Sequence, residues 1–99
     1  MILIAGTIRI EAQHRTEAVA VMTAMMAETM KEEGCVSYDF SADLNDETVF
    51  HLFEEWETQE HLEAHFVAPH MAEFRAASAD LGERIAEISR YVATEKAAL

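Results

Sequence analysis

The sequence predicts an α+β domain with the ferredoxin-like order βαββαβ, in which two helices cover one face of an antiparallel sheet. Two observations support this fold class. Segments in which side-chain character alternates at every second residue are separated by segments in which apolar residues recur at helical spacing. The chain has 99 residues, the length of one domain, and no linker or low-complexity tract divides it. We therefore expect a single domain over residues 1–99.

The first strand and the first helix are distinguished by this change of period. Residues 2–10 are apolar on both faces, which is typical of a central strand buried on both sides. From about Thr16 to Glu33 the spacing becomes helical, with an apolar face that includes Ala18, Met22 and Met25, and with Glu32 on the polar side. Gly34 then suits the left-handed position that follows a helix.

The next two segments predict a β-hairpin. Residues 35–42 alternate, residues 43–46 (Asp-Leu-Asn-Asp) have turn chemistry, and residues 47–57 alternate again. Glu54 and Trp56 share a face of the second hairpin strand with Phe50 and Leu52. Because that face is otherwise apolar, we expect the helices to cover it.

The remaining residues predict a helix, an interruption, a further helical stretch and a final strand. Thr58 can cap the second helix, and Pro69 interrupts the helical pattern. The last strand is predicted over residues 88–95. In this arrangement one sheet face stays open although it holds apolar residues, and a second copy of the sheet is its simplest cover. A homodimer is therefore expected.

Composition excludes several classes of partner. The chain has 19 acidic and 7 basic residues, a formal net charge of -12, which disfavours nucleic acid and anionic lipid. No apolar run reaches the length of about 18 residues that a membrane span needs. The first residues lack the basic region of a secretion signal, and a lone cysteine permits no internal disulfide. These features together favour a reduced, cytoplasmic setting.

The residues that could carry chemistry are concentrated between Phe50 and Phe74. Glu54 lies either at the rim of the covered face or in a pocket, and a strand-end salt bridge is the plainer alternative. His65 lies on the buried edge of the second helix, either as a core histidine bonded to backbone or as an acid–base group. His70, directly after Pro69, is either a capping group or a second pocket histidine.

Metal binding is weakly supported by the sequence. His61 and His65 are four residues apart and so share a helix face. However, the string is His-Leu-Glu-Ala-His and not His-Glu-x-x-His, and the spacing indicates no third ligand. We therefore expect no metal and no cofactor.

Several motifs in order resemble the antibiotic biosynthesis monooxygenase family. They are Gly-Cys-x-x-Tyr at residues 34–38, Glu-x-Trp at 54–56, Leu-x-x-His at 62–65 and Pro-His at 69–70. The resemblance implies a homodimeric α+β barrel of ferredoxin-like subunits. The family includes cofactor-free oxygenases of phenols, quinols and anthrones, haem-degrading enzymes and an isomerase of phosphorylated autoinducer-2.

The resemblance also implies roles for individual residues. Trp56 matches a tryptophan that lines the pocket of several of these oxygenases, and His65 is similar to their helix histidine. Thr7 stands where haem-degrading members have an asparagine, and Leu52 stands near the position of an asparagine in anthrone oxygenases. These departures disfavour haem degradation and leave the identity of the aromatic substrate open.

Three functional hypotheses follow. The first is a cofactor-independent monooxygenase that oxidises a small electron-rich aromatic, a quinol or a polyketide-type phenol or anthrone, with O₂. His65 or His70 would be the base, Glu54 would orient a histidine, and the substrate would contact Trp56, Thr7, Leu52 and Phe66. The second is an isomerase of a polar metabolite, whose phosphate would need Arg75, Arg84 or Arg90. The third is a non-catalytic dimeric ligand-binding module.

Overall fold

The computed structural model describes residues 1–99 and confirms the ferredoxin-like α+β fold. Each strand has eight residues, and the second helical segment is split in two at the proline. A single 3₁₀ turn, Ala12–His14, precedes the first helix. The elements are β1 (Ile2–Arg9), α1 (Arg15–Thr29), β2 (Cys35–Ala42), β3 (Val49–Trp56), α2 (Gln59–Phe66), α3 (Pro69–Ala79) and β4 (Ile85–Val92).

The four strands form one antiparallel sheet in the order β2-β3-β1-β4. Strands β1 and β2 run in the same direction with β3 between them, the split βαβ arrangement of this fold. The register places Ile4 of β1 opposite Glu54 of β3 on one side and Arg90 of β4 on the other. One face of the sheet therefore presents these residues together to the helices.

The hydrophobic core lies between this face and the helices. Its 13 buried residues come mainly from β1, β2, β3 and α1, and Trp56 is 0% exposed. Residues Ile2, Ile4 and Ile8 of β1, with Ile10 just after it, form one part of the core. Burying large aliphatic and aromatic side chains at these alternate positions fixes the register, because a slip of one residue would turn them all to the opposite face.

Two element boundaries differ from the sequence prediction. Helix α1 ends at Thr29, because the hydrogen bonds that follow it join residues three apart and not four apart. The Lys31 amide donates to the Glu28 carbonyl (3.2 Å), and the Glu32 amide donates to the Thr29 carbonyl (3.0 Å). Strand β4 covers residues 85–92 and so begins three residues earlier than predicted. Gly34 has the left-handed conformation expected of it, with φ of 80°.

The second face of the sheet, which we call the open face, carries no helix. Its side chains include Phe53, Ile85 and Tyr91, which are 41%, 62% and 53% exposed. The β1 side chains on this face, such as Leu3 and Ala5, are half-buried, so β1 is fully covered on one side only in a single chain. None of the helices combines the length and the apolar character that crossing a bilayer requires.

Candidate functional site

A cavity of about 420 Å³ lies between the helix-facing side of the sheet and the helices. Eleven of its sixteen lining residues are hydrophobic, and every strand contributes to its wall. The volume is within the range of small-molecule sites, roughly 300–1,000 Å³. Its apolar wall includes Tyr38, Phe40, Leu52, Phe66, Met71 and Ile88.

Glu54 is the buried carboxyl group of this cavity. It is 6% exposed, and its Oε1 accepts a hydrogen bond of 2.8 Å from Trp56 Nε1. Burial raises the pKa of Glu54 to about 7, against the lowering effect of the tryptophan bond and with a further increase from the charge of Glu32. At neutral pH the group can therefore either accept or release a proton.

Tyr38 lies beside Glu54 in the register of β2 and β3. Burial raises the pKa of its phenol far above the usual value, and the nearby charge of Glu54 adds to this. The tyrosine therefore stays protonated at physiological pH. It can serve the cavity as a hydrogen-bond donor and not as a base.

A second cluster, Glu32 with His65 and His70, lies outside the lining of this cavity; we call it the Glu–His–His cluster. Glu32 Oε2 is 2.6 Å from His65 Nδ1 and 2.7 Å from His70 Nε2. Both ring nitrogens must donate to an ionised carboxylate. For neutral rings this geometry assigns the proton to Nδ1 of His65 and to Nε2 of His70.

Local sequence explains how three separate segments meet in the Glu–His–His cluster. Thr58 begins α2 by accepting, through Oγ1, a bond of 3.2 Å from the His61 amide. Pro69 occupies the first turn of α3, where its missing N–H costs no helical bond, and this fixes His70 at the helix start. The turn after α1 carries Glu32.

His65 connects this cluster to the cavity wall. It is 1% exposed, and its ring packs against Trp56 (centroids 4.9 Å apart) and Tyr38 (5.4 Å). Trp56 in turn donates to Glu54. The packing holds the indole, and with it the hydrogen-bond donor of Glu54, in one orientation.

The structure separates the predicted site residues into distinct places. Leu52, Glu54 and Phe66 line the cavity, and Trp56 and His65 are buried against its Tyr38–Glu54 wall. His70 lines a neighbouring groove of about 340 Å³ between α1 and α3. The carboxylate that contacts both histidines is Glu32, whereas the partner of Glu54 is Trp56.

Thr7 lies apart from these residues. It is on the open face of the sheet, in a shallow depression that also includes Arg9, His51 and Glu87. Its position on β1 alternates with the core-facing Ile8, so its side chain points away from the helices.

Tyr38 and Glu32 were given no functional role in the sequence analysis, whereas the arginines of the isomerase hypothesis were named there. Tyr38 could have been found, because it alternates in phase with the core residue Phe40. Arg84 and Arg90 line the cavity, while Arg75 instead donates to the Phe66 carbonyl (3.0 Å). Glu32 was expected on the polar side of a helix running to Glu33, but it lies in the turn beyond the end of α1, where it contacts both histidines.

Cys35, the free thiol, lies at the start of β2 near this region. Its Sγ is 3.8 Å from Met30 Sδ. Burial raises the pKa of Cys35 to about 11, and the charges of Glu32 and Glu54 contribute in the same direction.

Comparison with known proteins agrees with this architecture. A protein of Synechocystis sp. that is named only as uncharacterized is 33% identical over 94 residues, which are 95% of this chain; the chain spans 64% of the length of that relative. A crystal structure from Deinococcus radiodurans, named as a candidate antibiotic biosynthesis monooxygenase, superposes with a TM-score of 0.91 at 24% identity, over 100% of this chain and 98% of the other.

A second solved structure, from Mycobacterium tuberculosis, has a TM-score of 0.86 at 25% identity and covers 98% of both chains. The sequence profile of one family, described as antibiotic biosynthesis monooxygenase, matches residues 1–77. This segment contains Glu54, Trp56 and the complete Glu–His–His cluster. The chain belongs to the antibiotic biosynthesis monooxygenase family.

Proposed function

We propose that this protein is a cofactor-independent monooxygenase that oxidises a small electron-rich aromatic, a quinol or a polyketide-type phenol or anthrone, with O₂. The observation that carries the proposal is the carboxyl group of Glu54 on the wall of an apolar cavity, with a pKa of about 7. A buried base of this pKa can deprotonate a phenol or an activated carbon acid near neutral pH.

Deprotonation is the step that the protein must supply. Once the acidic proton moves to Glu54, the electron-rich anion can pass an electron to O₂ without a metal or flavin. In an anthrone, a ring methylene that becomes a carbonyl supplies the four electrons that reduce O₂; in a quinol, oxidation to a hydroxyquinone supplies them. One oxygen atom then enters the product and the other leaves as water, so the overall reaction needs no external reductant.

The surroundings of Glu54 support this role. The apolar cavity wall excludes water and strengthens the electrostatic interactions of the carboxylate. Trp56 and the packed ring of His65 keep the donor to Glu54 Oε1 in place. The sequence analysis assigned the base to His65 or His70. We assign it to Glu54 because its side chain lines the cavity, and we assign the histidines a positioning role.

Oxygen uptake tests the proposal directly. Metal-free protein is assayed with a panel of quinols and anthrones, beside Glu54→Gln, His65→Ala and a matched control, Glu63→Gln, an exposed glutamate of α2. We expect uptake by the parent and the control, a loss of at least about 100-fold in Glu54→Gln, from the typical contribution of acid–base catalysis, and a smaller loss in His65→Ala. Unchanged turnover in Glu54→Gln would refute the assignment of the base.

The proposed functional unit is a homodimer in which two open faces pack together. Phe53, Ile85 and Tyr91 leave an exposed apolar surface on this face, which pairing would cover. The cavity lies on the opposite, helix-covered side of the sheet, so the dimer would leave it free for substrate.

A second candidate function, isomerisation of a phosphorylated metabolite, is supported by one observation. Arg84 and Arg90 both line the cavity, and guanidinium groups are suited to bind phosphate. Arg90 also donates to Gln59 Oε1 (3.3 Å) at the same wall. Saturable binding of a phosphorylated sugar-like ligand that is lost in Arg90→Gln, without oxygen uptake on any aromatic, would favour this candidate.

A further inference from the structure

We propose that the Glu–His–His cluster is a binding site for one divalent transition-metal ion, of the Zn²⁺, Fe²⁺ or Co²⁺ class. The inference is independent of the proposed oxygenase function. It differs from the metal site weighed in the sequence, because His61 is engaged elsewhere: its Nδ1 lies 2.8 Å from Thr58 Oγ1.

The geometry of the cluster is the first argument. One ligand atom from each of Glu32, His65 and His70 lies within 4.8 Å of the others. Both imidazole nitrogens point at the same carboxylate oxygen, at 2.6 and 2.7 Å. Metal–nitrogen and metal–oxygen bonds measure about 2.0–2.2 Å, so an ion can enter after a modest shift of the Glu32 side chain.

The donor set decides the class of ion. Two imidazoles and one carboxylate are the ligands that zinc and the mid-row transition metals prefer, whereas Mg²⁺ and Ca²⁺ favour sites made of oxygen. Three protein ligands leave coordination positions open, which is typical of reactive centres and not of closed structural sites.

The charge and burial of the cluster are the second argument. His65 is 1% exposed and directs Nδ1 into the cluster, so one ligand is already held by the core. The ion-pair partners of Glu32 are the two histidines alone, and no lysine or arginine is within 4 Å of its carboxylate. A divalent cation would supply the positive charge that this carboxylate lacks.

An entry path is the third argument. His70 lines the groove between α1 and α3, and two further carboxylates, Glu28 and Glu73, line the same groove. With a net charge of -12 for the chain, this acidic groove concentrates cations at the exposed edge of the cluster.

The test is titration of untagged, chelator-treated protein with Zn²⁺ and Co²⁺ by calorimetry, with the visible absorption of Co²⁺ as a report of its ligands. The variants are His70→Gln and Glu32→Gln. The matched control is His51→Gln, which removes the exposed histidine of an isolated pair, His51 Nε2 to Asp43 Oδ1 at 2.8 Å. Circular dichroism checks that each variant is folded.

We expect one equivalent of ion to bind to the parent and to His51→Gln with micromolar affinity or better, and Mg²⁺ not to compete. Removing one ligand should weaken binding at least about 100-fold, since even the loss of an outer partner costs about 10–100-fold. No binding by the parent, or binding that persists in both folded cluster variants, would overturn the proposal. Oxygen uptake by chelator-treated protein tests the proposed function separately, so either proposal can fail alone.

Discussion

The buried carboxylate of Glu54 and the half-buried carboxylate of Glu32 have different partners, and the partners determine what each can do. Glu54 receives one hydrogen bond from an indole and otherwise faces an apolar cavity, so burial dominates its pKa. Glu32 receives a bond from each of two imidazoles. The first is suited to exchange a proton with a guest molecule, and the second to hold side chains or an ion in place.

Glu54→Gln should stabilise the folded protein at alkaline pH while it abolishes turnover. The unfolded carboxyl loses its proton near pH 4.5 and the folded one near pH 7. Between these values the folded state binds more protons, so the stability of the parent falls as pH rises through this window. The glutamine carries no charge and avoids the cost, which is of the order of 3 kcal/mol.

Urea denaturation of parent and variant at pH 5 and pH 8 measures this effect. We expect the stability of the variant relative to the parent to be greater at pH 8 than at pH 5. A constant difference between them would show that Glu54 titrates normally in the folded state.

Trp56→Phe should move the pH profile of activity to higher pH. The indole N–H stabilises the charged form of Glu54, and its removal raises the pKa of that carboxyl further. Because the base acts in its deprotonated form, kcat/KM should reach half its maximum at a higher pH than in the parent. Phe50→Leu, a change in the same core that removes no donor, serves as control; an equal shift in both variants would contradict the prediction.

At the scale of residues, the sequence predicted that Glu54, Trp56 and His65 lie close together. It did not predict which side chain forms a hydrogen bond with which. Alternation on β3 is enough to place Glu54 and Trp56 on one face. The partner of the histidines is Glu32, 33 residues before His65. Such a contact depends on the direction in which a turn leads the chain. The spacing of residues along the sequence gives no information about that direction.

The short turn between α1 and β2 is the element that positions Glu32. Gly34 ends it in a left-handed conformation, and its carbonyl accepts a 2.9 Å bond from the Glu57 amide. A Cβ at Gly34 would also collide with the ring of His61. The turn is therefore tied both to the end of β3 and to the start of α2.

Gly34→Ala should destabilise the fold by about 1–2 kcal/mol from the left-handed backbone alone, with an added cost from the collision with His61. The double variant Gly34→Ala/His61→Ala should recover the part of the cost that comes from the His61 ring. It should keep the backbone part and the contact with the His61 Cβ, which would lie 2.6 Å from the added Cβ. Thermal or urea unfolding of the single and double variants checks both. Equal stability of the single and double variants would show that the His61 ring moves aside without cost.

The end of α1 and the bounds of β4 could not be predicted from the sequence. Residues 31–33 are charged and compatible with a continuing helix, so only the turn bonds seen in the structure end α1 at Thr29. Strand β4 is exposed along its whole length in a single chain. Without a buried face its alternation does not mark where the strand begins and ends, and the predicted bounds were displaced by three residues.

At the scale of the molecule, the open face is the surface through which we propose that two copies of the chain pair. Phe53→Asp should weaken a homodimer by about 100-fold or more, since it removes a central aromatic contact and introduces a charge on each side of the interface. Val67→Asp is the matched control, because Val67 is 83% exposed but lies after α2 on the helical side. Sedimentation velocity over a range of concentrations measures both variants.

Dissociation of Val67→Asp together with Phe53→Asp would place the interface on the helical side instead. A parent that stays monomeric at all concentrations would refute the homodimer. In that case the apolar open face would be left for a different partner.

The raised pKa of Cys35 bears on how the protein would withstand the O₂ chemistry that we propose for it. With a pKa of about 11, about one thiol in ten thousand is a thiolate at pH 7, and only the thiolate is a strong nucleophile. Reactions with O₂ release peroxide whenever an intermediate escapes, and peroxide oxidises cysteine through the thiolate. Burial, with a further contribution from the charges of Glu32 and Glu54, thus protects this sulfhydryl. We expect the protein to tolerate storage, and repeated turnover in the proposed reaction, without added reductant.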